Sequence, residues 1–177
     1  MIIKEKSIIV YPEFHFSDFP PQIYFSKNEI SNILKNIKNI SRSDIIISGY
    51  IEKENDKLYS SCFIIDGETT FNIRKKYPYG KEKDVILAGD SSFKLIPLSI
   101  GNSYFFICND ITVELETKQL NDFLKDNFVE NLFLISAMKK NFDKWIKKLK
   151  MKAEKLNVER IIFCDRFNGR EILKTNE

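Results

Sequence analysis

Three stretches of this chain place reactive side chain types at the end of, or inside, strand-like runs. Cys108 closes the run Tyr104 to Ile107 (YFFI). The carboxyl edge of a buried strand is where open α/β sheets bind ligands, and a thiol there becomes a nucleophile when a base and a cation are near. Taken alone, a free cysteine is more often plain packing, because it is among the most buried residue types. Glu13 follows directly on Ser7 to Tyr11 (SIIVY) and Pro12. It too falls at a carboxyl strand edge, and by itself it reads as a loop carboxylate. Arg74-Lys75-Lys76 lies inside the strand-like stretch Phe71 to Tyr77. Alternation sends Arg74 and Lys76 to one face and Lys75 to the other. A lysine forced inward needs a carboxylate partner; an exposed, lysine-rich edge strand is the plainer alternative. His15 is the single histidine, so a multi-His metal site within one chain is excluded. It reads as a loop residue. Cys62 and Cys164 read as packing, and three cysteines at scattered spacing form neither a disulfide framework nor a zinc pattern.

The elements that would carry these residues alternate between apolar strands and amphipathic helices. After the strand Ser7 to Tyr11, Ser26 opens a helix with Glu29 three residues on, a capping box. Ile30, Ile33, Leu34 and Ile37 then fall on one helical face. Strands are expected at Ile45 to Ile51, Leu58 to Ile65 and Phe71 to Tyr77. Glu54 to Lys57 and Asp66-Gly67 separate them as turns. Lys81 to Asp84 reads as a charged loop. Phe93 to Leu98 and Tyr104 to Cys108 are further strands. Thr117 caps a short helix carrying Leu120, Phe123 and Leu124. Asn131 to Ser136 is a buried strand, Phe142 to Leu156 a helix of about four turns, and Arg160 to Cys164 the last buried strand, with a polar tail after Asn168. Such a pattern implies a mixed α/β sheet covered by helices. No repeat or linker appears, so residues 1–177 read as one domain.

Composition excludes several classes. Of 177 residues, 43% are hydrophobic and 30% charged, with six Gly and five Pro, which is not a disordered or collagenous chain. A net charge of +3 demands neither nucleic acid nor membrane as partner. The lysines from Lys139 to Lys155 surround an apolar stripe and read as its solvated face. Arginine is scarce, and no nucleic-acid motif appears. No signal peptide or membrane-spanning stretch is visible, so the expected location is the cytoplasm.

Taken together, the order Pro12-Glu13, then Arg74-Lys75, then Cys108-Asn109-Asp110 resembles the nitrilase, or carbon–nitrogen hydrolase, superfamily. Ile45 to Glu68 is similar to the family's strand, hairpin and Asp-Gly turn. Ala88-Gly89 resembles the glycine preceding the nucleophile hairpin, and Cys164 to Asn168 the residues that end a later strand. The resemblance implies an α-β-β-α sandwich with mixed sheets, in a compact variant. It implies an amide- or nitrile-type hydrolase without metal or cofactor, acting through a thioester. Cys108 would be the nucleophile, Glu13 the general base and Lys75 the oxyanion stabiliser, with Glu82 as a second, orienting glutamate. Lys75 is preferred to Lys76 because it follows Arg74 directly. Asn109, Asp110 and Tyr77, beside the nucleophile and the lysine, are expected to touch substrate. Carboxylate, ammonium and thiol would tune one another's pKa values, and a thiol pKa below the ordinary value would mark an enzyme rather than an inactive binding or regulatory relative. The family's usual elements before Pro12 and after Asn168 have no counterpart here. The sheet edges this leaves open would be covered by a second copy or a partner chain.

Overall fold

The computed structural model describes residues 6–17 and 20–174. Two sheets, each built from one half of the chain, lie face to face. The first has the order β1 (Ile8–Tyr11), β2 (Ile45–Glu54), β3 (Lys57–Asp66), β4 (Thr69–Arg74). Strands β1 and β2 are parallel, with Ile8 opposite Ile45, and the rest antiparallel. The second sheet has the order β5 (Ile96–Leu98), β6 (Gly101–Ile107), β7 (Asn131–Ser136), β8 (Arg160–Asp165), β9 (Gly169–Lys174). Its three central strands are parallel and its two edges antiparallel.

Helices cover the outer faces. Helix α1 (Lys27–Ser41) starts with the expected box: Ser26 Oγ accepts from the Glu29 N–H, and Glu29 Oε2 accepts from the Ser26 N–H at 2.8 Å. Ile30 and Leu34 press onto Ile46, Tyr50, Phe63 and Ile65. Helices α2 (Asp110–Glu114), α3 (Lys118–Asp126) and α4 (Phe142–Lys155) cover the second sheet, where Leu120, Leu124, Ile146 and Leu149 meet Phe106, Leu132 and Leu134. Between the sheets, Ile45, Ile47, Cys62 and Ile64 face Phe105, Ile107, Phe133 and Ile135. The layer order is therefore α-β-β-α. Cys62 and Cys164 are buried in this inter-sheet layer. Each fully buried Ile or Leu stabilises the fold by roughly 1.5–3 kcal/mol.

Three expectations need correction. The tail after Asn168 is not simply polar: Gly169–Lys174 forms β9, with Ile172 opposite Ile162 and Leu173 packed on the outer core. Lys81 to Asp84 is not a plain loop but part of a single 3-10 turn, Gly80–Asp84. The strand expected from Phe93 begins only at Ile96, although Phe93 and Leu95 still pack against the core. No helix among the described residues is long and apolar enough to cross a membrane. No group of three or more His, Cys, Asp or Glu among them is arranged to hold a metal ion.

Candidate active site

Strand ends bring Glu13, Lys75 and Cys108 together. Glu13 lies just beyond β1, in a turn closed by the His15 N–H donating to the Pro12 carbonyl at 3.2 Å. Gly49 of β2 makes room for it. A Cβ there would stand 2.6 Å from Glu13 Cα and 2.7 Å from the Pro12 carbonyl oxygen. Gly49→Ala should therefore displace the Glu13 turn. We expect a loss of about 1–3 kcal/mol, the cost of overpacking a well-filled site, readable as a lower urea midpoint; an unchanged midpoint would show that the turn yields freely.

Lys75 leaves β4 on the face opposite Arg74, as alternation requires. Arg74 bonds outward to Glu52 at 2.6 Å and to Glu54 at 2.8 Å. The backbone of Lys75 is held on both sides: its N–H donates to the Ser60 carbonyl, and its carbonyl accepts from the Gly89 N–H, each at 2.8 Å. Gly89 is needed there because a Cβ would stand 2.6 Å from Arg74 Cβ. Lys75 Nζ then donates to Glu13 Oε1 at 2.9 Å and to Glu82 Oε2 at 2.7 Å. Both Lys75 and Glu13 are 0% exposed. Ser60 Oγ also donates to Glu13 Oε1 at 2.9 Å. Glu13 Oε2 is buried without a nitrogen or oxygen donor. The Cys108 thiol lies within hydrogen-bonding and electrostatic reach of this carboxylate.

Cys108 sits at the elbow between β6 and α2, with φ +49, a left-handed conformation that side-chain-bearing residues seldom adopt. Its N–H donates to the Ile135 carbonyl at 2.9 Å. The Ala137 N–H donates to its sulfur. That amide is fixed by Asp165, whose Oδ2 accepts from Ser136 Oγ at 2.5 Å and from the Met138 N–H at 2.7 Å, one residue either side.

The electrostatics depart from expectation in one respect. Burial, reinforced by the Glu13 charge, pushes the Cys108 thiol well above its ordinary value, and Lys75 and the Ala137 amide only partly offset this. The expected low-pKa thiol is thus replaced by a neutral one. Burial also works against the Lys75 ammonium, but Glu13, Cys108 and Glu82 together override it and raise its pKa. Burial, and then the Glu13 charge, raises Glu82 despite its bond to Lys75. The site therefore rests as a charged lysine between two carboxyl groups beside a protonated thiol.

The other expected residues are placed as follows. Lys76 is buried but turned elsewhere, with Nζ 2.9 Å from both Glu114 Oε1 and Tyr104 Oη; only Lys75 meets Glu13. Neither lysine is the exposed edge residue that the plainer alternative required. Asp110, expected against substrate, faces inward: its carboxylate accepts from the N–H groups of Lys76, Tyr77 and Ile107 at 2.9–3.3 Å. It staples the lysine loop to the elbow that carries Cys108. Tyr77 and Asn109 do line an opening, a cavity of about 440 Å³ walled by Pro78, Ile86, Leu87 and Val113. Its wall Ile86 belongs to a buried cluster with Phe14, the residue after Glu13, and Ala137, the thiol's amide donor, packs against that cluster. His15 stacks on Tyr11, ring centroids 4.2 Å apart. A second cavity, of about 350 Å³, opens at the β4 edge beside Arg74 and Lys94, and both cations are already paired with carboxylates.

Ser60, Asp165 and the Ala137 amide went unrecognised as parts of the site in the sequence. Ser60 is one small polar residue inside the expected strand Leu58 to Ile65. Asp165 lies in the quoted segment Cys164 to Asn168 but shows no signal of its own, and a backbone amide shows none.

The α-β-β-α sandwich is the fold seen in solved structures of the nitrilase, or carbon–nitrogen hydrolase, superfamily. Nit3 of Saccharomyces cerevisiae, a member of branch 10 of that superfamily, superposes with a TM-score of 0.71 at 16% identity, covering 96% of this chain and 69% of its own. A variant of the amidase from Nesterenkonia sp. AN1, with the acetamide moiety of fluoroacetamide added covalently at its active-site cysteine, gives 0.67 at 12% identity, covering 90% and 63%. The glutamine-dependent NAD+ synthetase of Acinetobacter baumannii gives 0.64 at 17%, covering 90% of this chain but 31% of its own. The chain thus spans only part of the length of each. Neither a family model nor a curated protein sequence matches it.

Proposed function

We propose that the protein hydrolyses the carbon–nitrogen bond of an amide or nitrile through a thioester on Cys108. The observation that carries this reading is Lys75 Nζ held by Glu13 and Glu82 beside the elbow thiol. The raised thiol goes against the low pKa expected of an enzyme, but a proton transfer made during attack needs no resting thiolate. Glu13 takes the Sγ proton as sulfur attacks an amide carbonyl carbon, so charge moves onto the carbonyl oxygen rather than resting on sulfur. The Lys75 ammonium and the Ala137 N–H receive that oxyanion. Glu13 then returns the proton to the departing nitrogen, and ammonia or an amine leaves. A water next gives its proton to Glu13 and attacks the thioester. Collapse releases the acid, and the sulfur recovers its proton. Glu82 holds the lysine in place throughout, and no cofactor is required. We propose that the active form is a homodimer or a complex in which a partner chain covers the open sheet edges, working in the cytoplasm.

The test is ammonia release from a panel of short aliphatic amides and nitriles by wild type and Cys108→Ala, with mass spectrometry of the quenched enzyme. Turnover lost in the variant, with an acyl adduct on Cys108 in wild type, is the expected result. Turnover that survives Cys108→Ala, or no adduct and no ammonia from any member, would overturn the reading in favour of a fold kept for binding.

A further inference from the structure

We infer that the cavity lined by Asn109, the residue next to Cys108, selects substrates bearing a carboxylate, and that Lys83 is the residue that recognises it. This rests on the hydrolase reading for the position of the reacting carbon. The cavity has the size and the mostly apolar wall of a small-molecule site, with Tyr77, Pro78, Ile86, Leu87 and Val113 around it. Its polar groups are few, and most are already committed. Lys76 is bound to Glu114 and Tyr104. Asn109 Nδ2 donates to the Tyr77 carbonyl at 3.0 Å, and its Oδ1 accepts from Thr112 Oγ1 at 2.6 Å. Lys83 also lines the cavity, and among the described residues no carboxylate stands within ion-pair distance of it. No acidic residue lines the cavity at all.

The local backbone prepares that amine. Lys83 follows Glu82 in the turn Gly80–Asp84, and the turn is tied down at Glu82. There Oε2 accepts from the Tyr79 N–H at 2.9 Å and from Lys75 Nζ at 2.7 Å. One turn thus supplies a carboxylate to the Lys75 side and an amine to the cavity side. A neutral aliphatic chain between a scissile amide and a terminal carboxylate would place its methylenes on the apolar wall. Its far end would meet the Lys83 ammonium, which no protein anion neutralises. A substrate ending in an ammonium would meet a like charge with nothing to offset it.

Two readouts test this. The first compares kcat/KM for three amides of matched length, succinamate, butyramide and 4-aminobutyramide, in wild type, Lys83→Met and Lys83→Glu. Wild type should prefer succinamate to butyramide by roughly fivefold, the size of a half-exposed ion pair, and disfavour 4-aminobutyramide. Lys83→Met should erase the preference and Lys83→Glu reverse it. The second readout needs no turnover. The ratio of iodoacetate to iodoacetamide alkylation at Cys108, normalised to the unfolded protein, should fall by a similar factor in Lys83→Glu. If amides are hydrolysed but neither ratio moves with Lys83, the inference fails and the hydrolase reading stands. If no amide is hydrolysed yet the alkylation ratio follows Lys83, the anion-selective cavity stands and the hydrolase reading fails. An alkylation ratio indifferent to Lys83 overturns the inference whatever the turnover.

Discussion

Lys75→Met should lower the unfolding free energy at pH 7 by about 3–5 kcal/mol, the cost of removing one partner from a buried ion pair. It should also slow amide turnover by roughly 10²–10³, as expected for losing an oxyanion donor. Lys75 is 0% exposed and bonds to Glu13 and Glu82 together. Methionine preserves much of the volume and removes the charge. Glu82, already raised by burial and by Glu13, then loses the cation that holds it down and rises further. A carboxyl whose folded pKa exceeds its unfolded value of about 4.3 destabilises the fold when ionised. The deficit is therefore full above the folded value and shrinks as pH falls toward the unfolded one. Urea titrations of wild type and variant between pH 7 and pH 4 should converge. Parallel curves, or equal midpoints at pH 7, would show that the two glutamates do not depend on Lys75.

Glu13→Gln should move two measurements in opposite directions. The Glu13 charge is the second cause, after burial, of the raised Cys108 thiol. Its removal leaves Lys75 acting on the thiol with less opposition. The thiol pKa should fall, and alkylation of Cys108 near pH 8 should become faster. Turnover of any amide should nonetheless drop by roughly 10²–10⁴, the usual contribution of a positioned base. Glutamine still accepts from Ser60 and Lys75, so the fold should hold. Lys75→Met should do the reverse to the thiol, raising its pKa and slowing alkylation. A Glu13→Gln enzyme that alkylates more slowly than wild type would break the account, because it would mean that the carboxylate lowers the thiol rather than raising it.

Much of this arrangement was legible because its signals are local. The box of Ser26 and Glu29, the continuous apolar runs of β2, β6, β7 and β8, and the alternation of Arg74 against Lys75 each lie within a few residues. Glu13 and Cys108 were readable because each follows an apolar run, and the order of Glu13, Lys75 and Cys108 is what carried the family resemblance. What escaped depends on contacts distant in sequence. Strand β9 has two adjacent apolar residues, Ile172 and Leu173, and no continuous run; pairing with β8 makes it a strand. The choice between Lys75 and Lys76 could not be settled from spacing alone, because Glu114 and Tyr104, which hold Lys76, come 38 and 28 residues later. Asp110 looked like a ligand of substrate because the three amides it binds are invisible in a string of letters. The thiol's direction of shift was missed because it turns on the balance of burial and two opposed charges, which no residue type reveals.

The division of the sheets along the chain has a consequence for biogenesis. Residues 8–74 complete the first sheet, and the second begins only at Ile96. During synthesis at about 5–20 residues per second, the first sheet waits for seconds until the second sheet is completed at Lys174, roughly one hundred residues further on. In that interval Ile45, Ile47, Cys62 and Ile64, which the finished molecule covers, have no partner layer. Glu13 and Lys75 are then present without Cys108, which joins them only when the two halves dock.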